Sequence, residues 1–300
     1  LVFFSQALTA QEEAEWKKHF TEEQLEKLHA AEDTVALLAY AIVNDSLPEH
    51  RFGACRHVIP LLVNTLKTPN SFYYPFERVQ SFSIMYPPDS SFRIFSWQLY
   101  VDKDEYRYYG AIQMNTPELK LFPLVDRSFE IQGDLEQLEL TPEQWYGVVY
   151  YNIHQTDAPK GRYYLLFGFD GKEFFRKRKV LDVLTFRDGK PVFGAPVIRH
   201  EEKKNQVSWR KRRVLEYSAA VSIRFNYDPA IDLILYDHLL TMPGQDGEGV
   251  NYYPDGSYEG YRLEKGVWHH IDNVFTQTQD EAPRPFPVLD TRKKDILGRN

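Results

Sequence analysis

The chain changes character near residue 70, and this change constrains the fold more than any other feature of the sequence. Residues 1–70 contain 6 of the 45 aromatic residues, whereas the other 39 lie in the 230 residues that follow. Before the change, apolar residues recur at helical spacing. After it, aromatic and β-branched residues form short runs separated by Asp-Gly and Pro, which is typical of strands. The sequence therefore predicts an α+β protein, with N-terminal helices packed on a large, mostly antiparallel, aromatic-rich β meander or sandwich. A partial propeller-like β body is the alternative.

Three amphipathic helices are predicted before residue 70. The first covers residues 11–20, and the second begins at a capping box in which Thr21 and Gln24 satisfy each other's backbone N–H groups. The third covers residues 54–67, where Pro60 either kinks the helix or starts it. Each helix has one apolar face, so we expect the helices to cover part of the sheet and not to form a separate domain.

The β region contains signals for hairpins and for a deeply buried strand. Asp170-Gly171, Asp188-Gly189 and Asp255-Gly256 each follow or precede apolar runs, and Asp-Gly favours the tight turn of a hairpin. The segment 92–97 is dense enough in strand-forming residues to be buried on both faces. Successive strands are therefore expected to be mostly antiparallel neighbours.

The two ends of the chain differ from its body. An apolar run followed by Ser5-Gln6-Ala7 has the pattern of the end of a signal peptide. We therefore expect a leader remnant at 1–10, a helical segment at 11–70, a β body at 71–275 and an extended, Pro-containing tail at 276–300. The pattern predicts export to a bacterial periplasm or outer surface.

The number of cysteines and the hydropathy of the chain exclude some classes of protein. The first and single Cys is Cys55, so the lipid-modified cysteine of a lipoprotein is not expected and an intrachain disulfide is impossible. No run approaches the roughly 18 apolar residues that a transmembrane helix needs. No cofactor motif, metal-binding motif or specific nucleic-acid signal is present.

Charge is unevenly distributed along a chain whose formal net charge is −7. Residues 172–213 carry 14 Lys and Arg against five carboxylates. Such a stretch favours binding of an anionic polymer. The interpretation that we prefer is that these side chains lie on the solvent face of adjacent strands and pair with the acidic helices.

One short cluster carries the candidate catalytic residues. Asp237 and His238 close a predicted strand, where functional side chains often emerge into loops. Glu259 follows the Asp255-Gly256 turn, and a pair of carboxylates such as Asp255 and Glu259 serves acid–base chemistry in glycosidases. Asp255 is equally explained as the turn residue. Asp237, His238 and Glu259 are therefore the candidates for a hydrolase site.

Aromatic residues of the same region are candidates for ligand binding. Exposed Tyr and Trp side chains on a sheet form a rigid platform for a glycan or a protein partner. Packing of the β body explains the same residues equally well. The candidate ligand-binding residues are Tyr252, Tyr253, Tyr258, Tyr261 and Trp268.

Several segments together resemble a known family. Ser90–Trp97, Trp145–Tyr151, Leu166–Gly171 and Tyr253–Tyr258 are similar to segments of an uncharacterised family of secreted proteins from Bacteroidetes-type bacteria. That family has no assigned activity, so the resemblance implies export and no chemistry. The leading hypothesis is an exported, cofactor-free and non-catalytic protein of the cell envelope that binds a glycan or a protein through an aromatic-lined β surface. Its alternatives are a hydrolase and binding of an anionic polymer through 172–213, and any site should lie on the side that the helices leave open.

Overall fold

The computed structural model describes residues 15–203, 206–244 and 249–275. The predicted leader and the predicted Pro-containing tail lie outside the described residues, and residues 15–17 are the described helical part of the first predicted helix. Strands account for 47% and helices for 23% of the structure, which confirms an α+β protein that is mostly β.

Two long helices precede the sheets. Helix α1 (Glu22–Asn44) begins at the predicted capping box, where Thr21 Oγ1 accepts from Gln24 N at 3.2 Å and Gln24 Oε1 accepts from Thr21 N at 2.9 Å. Helix α2 (Pro48–Leu66) begins six residues before the predicted start, so that prediction was wrong. Its proline at position 48 occupies the first turn, where the missing N–H costs no hydrogen bond. Pro60 lies inside the helix.

The described strands form three sheets. The first sheet has the order β1-β2-β3-β4, the second has the order β11-β7-β6-β5 with β8 added against β7, and the third has the order β10-β9-β15-β14-β13-β12. Their neighbours are antiparallel except β15 and β9, which are parallel. The strands are β1 (Ser83–Met85), β2 (Phe92–Asp102), β3 (Glu105–Met114), β4 (Leu121–Val125), β5 (Val149–Ala158), β6 (Gly161–Asp170), β7 (Arg176–Arg187), β8 (Lys190–Phe193), β9 (Ile198–Lys203), β10 (Gln206–Arg210), β11 (Arg212–Ser218), β12 (Phe225–Asp228), β13 (Leu233–Pro243), β14 (Val250–Glu264) and β15 (Val267–Ile271).

Three apolar cores separate four layers. The first core joins the helices to the first sheet, the second joins the first sheet to the second, and the third joins the second sheet to the third. Strand β2 contributes Phe92 and Ile94 to the second core and Phe95 and Trp97 to the first. The predicted burial of this strand on both faces is therefore confirmed.

The second sheet is also buried on both faces. Along β6, Leu166 faces the first sheet, while Leu165 and Phe167 face the third. This alternation is the period-2 pattern of a strand, with an apolar residue at every position. The second sheet is thus the middle β layer of the protein.

The hairpin predictions had mixed outcomes. Asp188 and Gly189, both at positive φ, form the tight turn between β7 and β8, as predicted. Asp170 ends β6, and a longer connection leads to β7. The prediction for Asp255-Gly256 was wrong, because this pair lies inside the continuous strand β14.

Six of the seven arginines in the basic stretch at 172–213 form ion pairs with other described residues. Arg187 binds Glu139, Arg176 and Arg178 bind Glu216, and both Arg210 and Arg213 bind Glu136. Pairing was predicted, but its partners lie in strand β11 and in the connection between β4 and β5, and not in the helices. The arginines are therefore committed to holding elements of the β body together.

Cys55 is a buried free thiol on α2. Its side chain faces the first core, and burial raises the pKa of the thiol. Within the described residues, no helix combines the length and the apolarity required to cross a bilayer.

A buried ion pair ties β11 to the middle sheet and generates a stability prediction. Arg212 Nη2 lies 2.9 Å from Asp182 Oδ1, both side chains are almost fully buried, and Arg212 Nη1 donates to Leu135 O at 2.8 Å. Arg212→Ala leaves the Asp182 charge uncompensated, so we expect the free energy of unfolding in urea to fall by about 3–5 kcal/mol. Arg187→Ala breaks an exposed pair and serves as control, with an expected loss below about 1 kcal/mol. Equal losses in the two variants would show that the buried ion pair contributes no more to the free energy of unfolding than the exposed pair.

Candidate functional site

An open cavity of about 850 Å³ lies between the third sheet and β11, the edge strand of the middle sheet. The helices pack on the first sheet, so the cavity is in a layer that they do not cover. Most of its lining side chains are polar or ionisable. They are His200, Glu201, Arg213, Val214, Leu215, Glu216, Tyr236, Asp237, His238, Leu239, Tyr252, Glu259, His270 and Asp272.

The floor of the cavity is formed where the inward face of the third sheet changes from apolar to ionisable. On each of four adjacent strands, an apolar or aromatic residue of the third core is followed two positions away by an ionisable lining residue. Residues two apart on a strand share one face, so the ionisable residues continue the core face beyond its apolar part. The four pairs are Ile198 and His200 on β9, Trp268 and His270 on β15, Tyr261 and Glu259 on β14, and Tyr236 and His238 on β13.

A bulge in β14 positions the first of these groups. Asp237 pairs with Tyr258 and Leu239 pairs with Pro254, so residues 255–257 stand opposite His238 alone. Gly256 adopts a φ of 90°, which lets the extra residues leave the regular ladder. The bulge brings Asp255 to His238, with Oδ2 2.8 Å from Nδ1.

Asp255 is an ionised partner for this imidazole. Its carboxylate accepts from the hydroxyl and the backbone N–H of Ser257 at 2.7 and 2.9 Å. These bonds, together with that of His238, lower the pKa of Asp255 to about 2. The ionised Asp255 accepts a hydrogen bond from His238 Nδ1–H, which orients the ring with Nε2 towards Glu259 Oε1.

Glu259 connects three side chains of the floor. Its Oε2 accepts from Tyr236 at 2.7 Å and lies 2.9 Å from His270 Nε2, while its Oε1 lies 3.6 Å from His238 Nε2. Burial raises the pKa of Glu259, but the hydrogen bonds from His270 and Tyr236 and the neighbouring imidazoles outweigh burial and bring the pKa to about 2. Glu259 is therefore a fixed negative charge across the physiological pH range.

His200 lies deepest in the cavity. It is 6% exposed, and its Nδ1 lies 2.9 Å from the hydroxyl of buried Tyr261. Burial lowers its pKa to about 3, with a further contribution from Arg213 and from His270, whose ring centroid is 4.2 Å away. His200 is therefore a neutral imidazole at the floor of the site.

Strand β11 forms the opposite wall. Glu136, from the connection between β4 and β5, accepts from Arg213 Nη1 at 2.9 Å and from Val214 N at 2.7 Å. Glu216 accepts from Arg178 Nε at 2.8 Å. The edge of the middle sheet is thus held by ion pairs at one side of an otherwise open cleft.

The structure brings the three candidate catalytic residues together. Asp237, His238 and Glu259 all line the cavity, and His238 and Glu259 face each other. Asp237 accepts from the backbone N–H of Arg224. The sequence placed these residues near one another in the chain, and the β13–β14 pairing places them in one site.

The candidate ligand-binding aromatics separate into three groups. Tyr252 lines the cavity and is 40% exposed. Tyr261 and Trp268 are fully buried in the third core, which corrects their prediction as surface residues. Tyr258 packs edge-on against Phe275, and neither Tyr258 nor Tyr253 belongs to the described lining.

Sequence reasoning missed most of the lining, including His200, His270, Arg213 and Glu216, and also Tyr236, Glu201 and Asp272. The two histidines carry a signal in the chain, since each follows an apolar strand residue at i+2 and so continues its face. Arg213 and Glu216 carry none, because they reach the cavity only through the edge position of β11.

The chemistry of the site is that of fixed charges and imidazoles. Asp255 and Glu259 both have pKa values of about 2, so neither is a protonated acid near neutral pH. A glycosidase pair needs one protonated carboxyl, which this pair does not supply. Across residues 15–203, 206–244 and 249–275, no group of three or more His, Cys, Asp or Glu side chains has the arrangement of a metal site.

Comparison of the chain with family models, with curated proteins and with solved structures finds no match. The resemblance to secreted Bacteroidetes-type proteins therefore stays a prediction, and the site must be interpreted from its own geometry.

The charge on Glu259 generates a pH prediction. Because its folded pKa of about 2 lies below the ordinary 4.5, its contribution to stability is complete above pH 4.5 and is lost as the pH falls towards 2. We expect Glu259→Gln to lower the free energy of unfolding by about 3 kcal/mol at pH 7. The difference from wild type should shrink between pH 4.5 and 2, as measured by urea denaturation at a series of pH values.

The control for this experiment is Glu264→Gln, an exposed position at the end of the same strand. It should match wild type at every pH. A loss in Glu259→Gln that does not change with pH would contradict the assignment of an ionised, hydrogen-bonded carboxylate.

Proposed function

We propose that the cavity between β11 and the third sheet binds a polyhydroxylated ligand, a segment of a glycan, without catalysing a reaction. The observation that carries the proposal is the preorganised polar floor formed by Glu259 with Tyr236, His270 and His238. These side chains are fixed by one another before any ligand arrives, so little conformational entropy is lost when a ligand binds.

The size and polarity of the cavity support a sugar ligand. A volume of about 850 Å³ falls in the range of ligand sites, but such sites are usually lined by apolar side chains. Here the lining is mostly carboxylate, imidazole and phenol. Ionised carboxylates accept hydrogen bonds from hydroxyl groups, and imidazole and phenol groups form further hydrogen bonds with them, so a ligand rich in hydroxyls matches this lining.

The leading hypothesis of an aromatic-lined surface is reduced to fewer aromatic residues. An extended aromatic surface loses two of its five candidates to the core, and Tyr252 supplies the exposed ring on the cavity wall. A Tyr face offers an apolar surface to the C–H face of a sugar ring, while its hydroxyl remains hydrated. The proposed site therefore combines one aromatic wall with a polar floor.

Binding of a soluble hexasaccharide tests the role of the wall. Tyr252→Ala removes the ring, and we expect the dissociation constant measured by calorimetry to rise about tenfold, which corresponds to about 1.4 kcal/mol. Tyr40→Ala, at an exposed tyrosine of α1, is the matched control and should leave the affinity unchanged. Equal effects of the two substitutions would place the sugar outside the cavity.

A hydrolase is the second candidate function, and the Asp255–His238 contact favours it. Asp255 orients His238 so that Nε2 is the acceptor nitrogen, and His238 lines the cavity. An imidazole in this state is a general base for the attack of water. The described lining contains no Ser, Thr or Cys that would act as a nucleophile.

Turnover assays separate the two functions. We expect no product from glycan, ester or peptide substrates, because both acidic candidates are fixed in the ionised form. Turnover that falls at least about 100-fold in His238→Gln, with unchanged ligand affinity, would instead establish the hydrolase.

Binding of an anionic polymer through 172–213 has less support. Most arginines of this stretch are paired with carboxylates of the β body, so an external polyanion would have to bind mainly through the lysines. Export to the cell envelope is part of the proposed function and rests on the leader pattern of the sequence.

A further inference from the structure

The cavity carries a strong imbalance of charge. Its lining contains five carboxylates and a single guanidinium, that of Arg213. His200 is neutral at physiological pH because its pKa is lowered to about 3. A cleft lined by one sign of charge attracts ligands of the opposite sign and excludes those of the same sign.

The cations in and next to the lining have carboxylate or aromatic partners. Arg213 is bound to Glu136, and Arg178 and Arg176 are bound to Glu216. Lys179 is stacked over the ring of Tyr151, with its Nζ 5.2 Å from the centroid, and interacts electrostatically with Asp237. These cations partly compensate the negative charges of Glu216 and Asp237. The other carboxylates of the lining keep the cavity acidic.

Two exposed carboxylates line the rim of the cavity. Asp272 lies two positions after His270 and continues the face of β15, whereas Glu201 directly follows His200 at the edge of the lining on β9; because β9 and β15 are parallel, both residues lie at the same end of the cavity. Both residues are exposed, and neither forms an ion pair with another described residue. Within the part of the chain that the structure describes, they add two negative charges without an ion-pair partner beside the histidine floor.

The floor beside this rim has an unfilled hydrogen-bonding position. His200 is 94% buried, since its exposed fraction is 6%, and its Nδ1 is used by Tyr261. Its Nε2 has no hydrogen-bond partner among the described residues, and the side chain lines the cavity. This nitrogen is not one of the fully buried atoms that lack a partner, so it is open to a ligand hydroxyl or to water in the cavity.

We propose that the natural ligand of the cavity is a glycan that carries free ammonium groups, that is, a chain of unacetylated amino sugars. This inference rests on the proposed function and specifies its substrate class. The ammonium groups pair with Glu201 and Asp272 at the rim, and a neighbouring hydroxyl fills the open position at His200 Nε2. A neutral glycan lacks the ionic contacts, and a glycan of uronic acids is repelled.

The experiment compares β-1,4-linked hexasaccharides that differ at one position of each ring. Cellohexaose carries a hydroxyl there, the glucosamine hexamer an ammonium and the N-acetylglucosamine hexamer a neutral acetamide. Calorimetry is performed with the full chain at pH 6, which keeps the sugar amino groups protonated. We expect the glucosamine hexamer to bind at least about tenfold more tightly than cellohexaose at low salt, with the preference shrinking at about 0.5 M salt because added ions screen exposed charges.

A double variant identifies the charges responsible. Glu201→Gln with Asp272→Asn should reduce the preference for the glucosamine hexamer to less than about threefold, because both rim charges are lost. Glu49→Gln with Glu118→Gln changes the net charge equally at exposed positions outside the cavity and should retain the preference. A preference that survives the first double variant would overturn the inference.

The remaining outcomes separate this inference from the proposed function. Equal binding of cellohexaose and the glucosamine hexamer would overturn the amino-sugar assignment and leave glycan binding intact. Failure of all three sugars to bind would overturn both. Penta-lysine that binds as tightly as the glucosamine hexamer, with no binding of cellohexaose, would assign the site to a basic peptide and overturn the inference.

Discussion

The middle sheet must be covered on both faces, and the rest of the structure depends on this requirement. Its strand β6 has an apolar or aromatic side chain at each of the successive positions 163–167, so neither face is stable against water. The first sheet covers one face and the third sheet covers the other. The helices then cover the outer face of the first sheet and bury Phe95 and Trp97, which would otherwise be exposed to water. The layer order follows from this sequence of covered faces.

The site lies where that cover ends. The third sheet extends beyond β11, the last strand of the middle sheet, and there its inward face is ionisable. An apolar residue at these positions would be exposed to water in the open cleft. His200, His238, His270 and Glu259 are polar, so they tolerate water there while hydrogen bonds and close contacts hold them in place. Glu259 has the central position, because Tyr236 donates to it and the rings of His270 and His238 lie 2.9 and 3.6 Å from its carboxylate oxygens. Its low pKa is the electrostatic result of that convergence.

Local chemistry in the sequence predicted the parts of the fold that short segments determine. The Thr21 cap and the two-sided burial of 92–97 depend on residues that are neighbours in the chain, and both were confirmed. The Asp255-Gly256 pair was misassigned because a hairpin turn and a bulge both need a residue at positive φ. Only the pairing of β13 with β14, which the sequence does not display, distinguishes them. Asp237 and His238 were predicted to close a strand and Glu259 to follow a turn, and this was wrong, because all three lie inside β13 and β14. Arg213 and Glu216 enter the cavity through the edge position of β11, which a single sequence does not reveal.

Glycan binding depends above all on one proposed property of the molecule: the cleft between β11 and the third sheet is a preformed ligand site. A crystal structure of the full chain with the glucosamine hexamer tests it most directly. The account predicts ordered sugar between β11 and β13–β14, with a ring face against Tyr252 and a hydroxyl or ammonium group near His200 and Glu201. Ordered sugar elsewhere on the surface, with none in this cleft, would contradict it.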